Sequence, residues 1–340
     1  MKIFSSITFV VFLLILSGCT KTQPINDNND NNDDDNHNDT TVVEQNDGFI
    51  VVGRILGDFV QSHYFDIDND ILIPFGSLTS RDGVWNANRD SVYFNYGGLG
   101  EGIWTAPIDS ETPEPTLIYD SPYPENEILK IPSGFIFKIT DSPTTLMFWD
   151  GENLDTAFVG TFGMCSKLRI SPDSSLFAFY QYGIEQRIYI IEIADTTPWD
   201  TLCTLPGRTY SWLDYDPDKI FTASDDGGII YTIRGERDST SVSLPQSGYS
   251  DVAAKDFEIF GLFGVGDSTE IWILPANLYI QRKICSIYGT PKAFDVSPFD
   301  NIIAVAVNQG DFEYIYKVNI DNGSTENILI ANFITGIRWK

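Results

Sequence analysis

The sequence predicts an all-β fold, a single β-propeller, on three observations. From Gly48 onward, short runs of aromatic and β-branched residues alternate with Gly, Pro, Asn and Asp, which is the pattern of strands and turns. No segment of that body sustains the apolar period of a helix. An apolar–aromatic pair returns at Tyr64-Phe65, Ile103-Trp104, Phe148-Trp149, Ile188-Tyr189, Ile230-Tyr231, Ile271-Trp272 and Ile315-Tyr316. Counted between the second residues of each pair, the gaps are 39, 45, 40, 42, 41 and 44, the length of one four-stranded blade.

One unit displays all four strands in order. Residues 167–170 form the first, Ser171-Pro172-Asp173 a turn in which Pro presets φ, and residues 176–180 the second. Residues 187–191 are the third and 201–205 the outer fourth. The middle strands are continuously apolar, as expected where blades packed face to face bury both sides. The turn recurs as Asp216-Pro217-Asp218 and Ser297-Pro298-Phe299-Asp300, and more loosely as Pro132-Ser133-Gly134.

The two ends of the body complete each other. Residues 334–340 read as a first strand with nothing after it, and residues 48–53 as a second strand with nothing before it. Residues 63–67 and 71–75 supply a third and a fourth. One C-terminal strand paired with three N-terminal strands would close the ring, remove an exposed edge and make seven four-stranded blades.

The pattern Ser171-Pro172-Asp173, then Leu176-Phe177-Ala178-Phe179, then Arg187-Ile188-Tyr189 resembles the WD-like repeats of TolB-type periplasmic propellers. Those carry a Ser-Pro-Asp-Gly turn, an Ile-Ala-Phe strand and an Ile-Tyr strand; here Ser174 stands where the glycine is usual. Two units match well and the rest in outline. The resemblance implies the propeller fold over residues 48–340 and transfers no particular activity, since propellers host many unrelated functions.

The N-terminal segment predicts export. Met1-Lys2 is a short basic start, and residues 3–16 are apolar except for Ser5, Ser6 and Thr8, too short a run for a comfortable membrane span but suited to a secretion signal. It ends in Leu16-Ser17-Gly18-Cys19, which resembles the bacterial lipobox. That resemblance implies a signal peptide over residues 1–18, lipid on Cys19 and a place in the cell envelope outside the cytoplasm. Each buried acyl CH₂ contributes about 0.8 kcal/mol, so two or more chains hold a protein firmly on a bilayer. Thr20, with no acidic residue beside the cysteine, favours the outer membrane by analogy with enteric bacteria. Residues 19–47 include an Asn/Asp run with nothing to bury and predict an extended, disordered tether.

Charge and composition exclude several classes. The 340 residues carry 21 Lys and Arg against 48 Asp and Glu, a net −27, which argues against nucleic acid and against docking on anionic lipid through a polybasic patch. Beside Cys19 there remain Cys165, Cys203 and Cys285, an odd number without close spacing, so they predict buried free thiols and not a disulfide framework or a metal centre. The two histidines are His37 in the tether and His63 at the start of a strand, with no serine motif to serve. Neither a Gly-x-Ser-x-Gly elbow nor a phosphate-binding glycine pattern is present. The sequence therefore assigns no catalytic residue and no cofactor.

Three constellations remain. Asp66, Asp68 and Asp70 alternate as oxygen ligands for a hard cation would, but lack the glycine and later glutamate of a calcium loop, so a solvated turn is the favoured reading. Ser224-Asp225-Asp226-Gly227-Gly228 partly resembles the Asp-box of sialidases, which braces a turn and performs no chemistry. Aligning the units by their turns puts Arg169, Asp214, Asp295 and Arg338 at one level of the innermost strand, around a central channel where a small polar ligand or a peptide could dock. The competing reading is a mutually paired lining that stabilises the ring.

The function these features predict is a membrane-anchored binding or scaffold module of the envelope, its partner another envelope protein or a small polar ligand. Two alternatives stay open. One is a hydrolase acting on a carbohydrate or lactone through carboxylates near the channel. The other is a structural surface lipoprotein.

Overall fold

The computed structural model describes residues 48–55, 61–74, 80–86, 88–96, 102–108, 114–121, 126–141, 143–160, 165–182, 186–225, 227–236, 238–242, 244, 249–275 and 281–339. The segments read from sequence as a signal peptide and a tether, with Cys19 and His37, lie outside the described residues. Every regular element among the described residues is a β-strand. The chain opens with β1 (Gly48–Ile55), β2 (Gln61–Asp66) and β3 (Ile71–Pro74).

Five four-stranded antiparallel sheets follow, each paired in chain order. The first holds β4 (Ser80–Trp85), β5 (Ser91–Tyr96), β6 (Gly102–Pro107) and β7 (Thr116–Asp120). The second holds β8 (Asn126–Ile131), β9 (Gly134–Asp141), β10 (Thr144–Trp149) and β11 (Leu154–Val159). The third holds β12 (Cys165–Ile170), β13 (Leu176–Gln181), β14 (Arg187–Glu192) and β15 (Thr201–Pro206). Next come β16 (Thr209–Leu213), β17 (Asp216–Ser224), β18 (Gly227–Thr232) and β19 (Ser239–Val242). The fifth is β20 (Tyr249–Lys255), β21 (Glu258–Val265), β22 (Ser268–Pro275) and β23 (Arg282–Tyr288). Finally β24 (Thr290–Val296), β25 (Ile302–Asn308), β26 (Glu313–Asn319) and β27 (Thr325–Trp339) join β1, β2 and β3 in one seven-stranded sheet.

That larger sheet arises because β27 serves two neighbours. Its first half pairs with β26, from Val318↔Thr325 to Glu313↔Ala331, and its second half pairs with β1, from Ile55↔Ala331 to Phe49↔Trp339. The sequence reads a separate strand from residue 334; the structure makes Thr325–Trp339 continuous. The physical reason is local: Ile330-Ala331-Asn332-Phe333-Ile334 contains no Gly or Pro to break the extended backbone.

The first strands of consecutive sheets lie against one another, β4 on β8, β8 on β12, β12 on β16, β16 on β20 and β20 on β24, while β24 and β4 both touch β27. The core sits between the sheets. Leu176–Gln181 is buried at every position, so its two faces feed two different interfaces. Phe177 and Phe179 pack toward Ile136 and Leu146 of the preceding sheet. Ala178 and Tyr180 pack toward Tyr210 and Ile220 of the next. The recurring apolar–aromatic pair has the same origin. Ile188 enters the cluster with Tyr210, and Tyr189 leans on the cluster with Phe158 and stacks on Phe179 at 5.2 Å. Ile315 and Tyr316 divide in the same way between two clusters.

The turns between first and second strands are braced by their own side chains. Leu176 donates its backbone N–H to Ser171 Oγ at 3.0 Å, and Ser175 donates its backbone N–H to Asp173 at 3.1 Å. In the Ser297 turn, the N–H groups of Phe299 and Asp300 donate to Ser297 Oγ. Asp216-Pro217-Asp218, read from sequence as a third such turn, is different. Leu213↔Asp216 closes a tighter turn at Asp214-Tyr215, and Pro217 lies in the irregular stretch before Trp212↔Ile220. Proline fits there because a missing N–H costs no ladder bond at an irregularity.

Candidate functional site

Side chains from the first strands meet in two adjoining cavities of about 230 and 250 Å³, both lined by Lys167, Arg169, Asp251 and Phe294. The first cavity adds Glu127, Lys292 and Arg338. The second adds Tyr210, Trp212 and Asp295. Strands β8, β12, β16, β20, β24 and β27 thus all contribute. Tyr182, just past the end of β13, also lines the first cavity, so that cavity lies toward the end of the sheets where second strands finish.

The backbone explains why charged residues reach this point. Near its start, β8 carries an extra residue between the pairs Asn126↔Lys138 and Ile128↔Phe137, and that residue is Glu127. In β12 the shift falls between Ser166↔Tyr180 and Arg169↔Ala178, at Lys167 and Leu168. In β24 it isolates Lys292 between Pro291↔Val307 and Ala293↔Ala306. In β27 it isolates Thr335 between Val52↔Gly336 and Gly53↔Ile334. Similar shifts occur in β20 at Ser250 and in β4 between Ser80 and Gly83. A bulge re-aims the side chain it carries, and bulges concentrate beside functional sites. Glu127, Lys167, Lys292 and Thr335 all face the first cavity.

Two of these bulges are strained. Glu127 has φ +51° and Lys167 φ +59°, in the left-handed region that costs a non-glycine residue of order 1 kcal/mol. The Lys167 bulge is held from behind: the Tyr210 hydroxyl donates toward the carbonyls of Lys167 and Ala178, the latter at 2.6 Å. Burial pushes the Tyr210 hydroxyl well above its ordinary pKa, so it remains a donor across the physiological range.

The charges are partly paired across strands. Lys167 Nζ donates to Asp251 Oδ1 at 2.8 Å and to Thr209 Oγ1 at 2.9 Å, and Thr209 donates to the same carboxylate at 3.1 Å. Lys292 pairs with buried Glu313 at 2.8 Å. Glu127 accepts the Leu168 N–H at 3.2 Å, which links β8 to β12. Arg169 donates to the Leu168 carbonyl at 3.0 Å. Asp295 accepts the N–H groups of Trp339 at 2.8 Å and Val296 at 3.0 Å. Its pKa is nevertheless raised: burial outweighs the Trp339 hydrogen bond and the Arg169 charge, both of which favour the ionised form.

Of the four residues aligned from sequence, Arg169 lines both cavities, Arg338 the first and Asp295 the second. Asp214 lines neither; it stands exposed in the turn after β16 and accepts the Asp256 N–H. The tighter Asp214-Tyr215 turn shifts that strand by comparison with its neighbours. Sequence reasoning missed Glu127, Lys167, Asp251 and Lys292. Their signal is a charge at the second or third residue of a first strand, and a one-residue bulge in that strand hides it from period-2 counting.

The other candidates fall elsewhere. Asp66 ends β2 and accepts the backbone N–H and side-chain Nδ2 of Asn69, while Asp68 and Asp70 stand in the exposed turn, so Asp66 braces that turn. His63 is buried in β2 between Val51 and Pro74, in the outer part of its sheet. Cys165, Cys203 and Cys285 are free thiols; Cys165 is buried and the other two half-buried, and burial pushes Cys285 to about 11. Among the described residues no group of three His, Cys, Asp or Glu side chains could hold a metal ion.

The fold these sheets define is a β-propeller, and solved structures share it. A 6-phosphogluconolactonase-like protein from Bacteroides fragilis aligns at TM-score 0.61 with 12% identity, covering 88% of this chain and 99% of that one. The periplasmic gluconolactonase of Pseudomonas aeruginosa aligns at TM-score 0.54 with 12% identity, over 86% of this chain and 99% of that one. TolB from Acinetobacter baumannii aligns at 0.53 with 11% identity, over 86% of this chain and 66% of that one. At such identities the likeness is one of fold. No family model and no curated protein matches the sequence.

Proposed function

We propose that this chain is a seven-bladed propeller, tethered outside the cytoplasm by lipid on Cys19, whose central cavities bind a small polar ligand or an envelope partner. Seven is the count reached when β27 is shared between two four-stranded blades, β24–β27 and β27–β1–β2–β3. Seven separate buried clusters, each lying between two consecutive blades, support the same count and a closed ring. The lipobox and the periplasmic gluconolactonase of like fold support the location.

The observation that carries the binding reading is the convergence of ionic side chains from five strands, β8, β12, β20, β24 and β27, on two adjoining cavities. The test captures full-length protein from detergent-solubilised envelope and profiles the proteins and metabolites that copurify. A stoichiometric companion lost with Arg169→Ala or Arg338→Ala supports the reading; a companion indifferent to both changes, or none, defeats it. Incorporation of labelled fatty acid, lost in Cys19→Ala, tests the anchor.

A second reading, a lactone hydrolase, has its own support. Asp251 and Asp295 line one cavity in contrasting environments, one ion-paired to Lys167 and the other raised in pKa by burial. A carboxyl whose pKa is raised by its buried site suits a general-acid role. Two of the proteins of like fold carry gluconolactonase names. Lactone hydrolysis abolished by Asp295→Asn in a folded variant would support it, and no turnover by the parent protein would remove it.

A further inference from the structure

We infer that the cavity at the bulged ends of the first strands is an anion site, built for a small carboxylate or phosphate ligand. The inference rests on the ligand-binding reading above and names the chemistry of its ligand. Its first ground is that the acidic excess of the chain disappears at these cavities, even with Glu313 behind Lys292 counted among the acids. The whole chain carries 21 cationic against 48 acidic residues, whereas the two cavities are lined by Lys167, Arg169, Lys292 and Arg338 against Glu127, Asp251 and Asp295. A chain with more than two acids per base thus places four bases and three acids where a ligand would sit.

The second ground is construction. Two of the four bases, Lys167 and Lys292, reach the cavity on one-residue bulges, and Lys167 does so in a left-handed backbone held by Tyr210. Bulged, strained positions persist where the surrounding structure enforces them. Both lysines are also oriented by carboxylates beside or behind them, Lys167 by Asp251 and Lys292 by Glu313. Fixed cations lose less freedom on capturing an anion than free surface lysines would. Arginine adds the planar fork that matches carboxylate and phosphate oxygens.

In an acidic protein, such a site also selects by field. The surrounding negative surface repels anions in general, so a bound anion must be one that fits between Arg169, Arg338 and the two lysines. Weak binding of macromolecular polyanions and measurable binding of small ones is the expected pattern.

The test measures binding to the full-length protein by calorimetry with three small probes: inorganic phosphate, D-gluconate and D-glucitol, the last a neutral polyol of nearly the same size as gluconate. The expected result is binding of phosphate or gluconate at least tenfold tighter than glucitol, weakening as salt is raised. Phosphate alone binding identifies a phosphate ligand; gluconate alone identifies a carboxylate. Arg169→Gln and Arg338→Gln should each lower anion affinity tenfold or more, and Arg169→Lys should recover part of it, with near-ultraviolet circular dichroism verifying that each variant is folded. Glucitol binding as tightly as gluconate would overturn the anion assignment and leave the ligand-binding reading standing. Absence of binding by all three probes would overturn the anion assignment, and the copurification experiment then decides the broader reading separately.

Discussion

The middle strands and the first strands of the same sheets are built by opposite rules. Leu176–Gln181 in β13 is buried throughout, and Ile302–Asn308 in β25 is buried except at its two ends; both pair without a register shift to the strands that follow them. The first strands β12 and β24 pair directly with them in the same sheets, yet each carries a bulge that presents charge to the cavity, as β8 does in its own sheet. Regular pairing with apolar side chains on both faces supplies cohesion between sheets. Interrupted pairing, with one residue turned out of the ladder, supplies a surface that can meet a ligand. Stability and chemistry are thereby assigned to neighbouring strands, and a change in one need not disturb the other.

The largest effect expected from breaking that division is Phe179→Ala in β13. Phe179 is fully buried and stacks on Tyr189, so its loss should destabilise the fold by about 3–5 kcal/mol in denaturant titration. Tyr210→Phe is the next largest, because it removes only the hydroxyl that holds the Lys167 bulge and the Ala178 carbonyl. It should cost about 1–3 kcal/mol and loosen the cavity, a change visible as faster amide exchange around Lys167.

Two substitutions sharpen the comparison through pH. Asp295 lies in a first strand with its folded pKa raised by burial, so its ionisation costs stability at neutral pH and that cost fades as pH falls toward the ordinary carboxylate value. The stability of Asp295→Asn, measured against the parent, should therefore decline between pH 7 and pH 4. Glu270 lies in the third strand β22, where the Lys283 hydrogen bond lowers its pKa against the opposing effect of burial. Its contribution is present at neutral pH and lost as pH falls through the lowered value. The deficit of Glu270→Gln, about 1 kcal/mol at pH 7, should shrink over the same titration. Slopes of the same sign for both variants would contradict the contrast.

The smallest effect is Ser174→Gly. Ser174 adopts φ +60° in the turn after β12, the conformation that glycine reaches without steric cost. Relief of that strain, offset by the freer unfolded chain, should raise stability by up to about 1 kcal/mol.

Much of this architecture is legible in the sequence. The four strands of the unit around Ser171-Pro172-Asp173 fall within a residue or two of Cys165–Ile170, Leu176–Gln181, Arg187–Glu192 and Thr201–Pro206. They could be read because burial on two faces demands unbroken apolar runs, and turns demand Pro, Asp and Ser. The apolar–aromatic pair recurs because each unit meets the same two neighbours.

The site was legible only in part, and the reason is register. Arg169, Asp295 and Arg338 lie a fixed distance from turns or chain ends that the sequence marks, and they do line the cavities. Asp214 was placed by the same counting, but its turn closes earlier than the Asp216-Pro217-Asp218 motif suggests. Glu127, Lys167, Asp251 and Lys292 required the structure, because a bulge adds a residue without leaving a compositional mark. By itself the sequence determined strand identity, the repeat and the charge balance, all of which follow from local pattern. Which charges face one another was decided by tertiary structure alone, since partners such as Lys167 and Asp251 lie 84 positions apart, in sheets separated by a third, and meet only when the first strands of those sheets converge on one cavity.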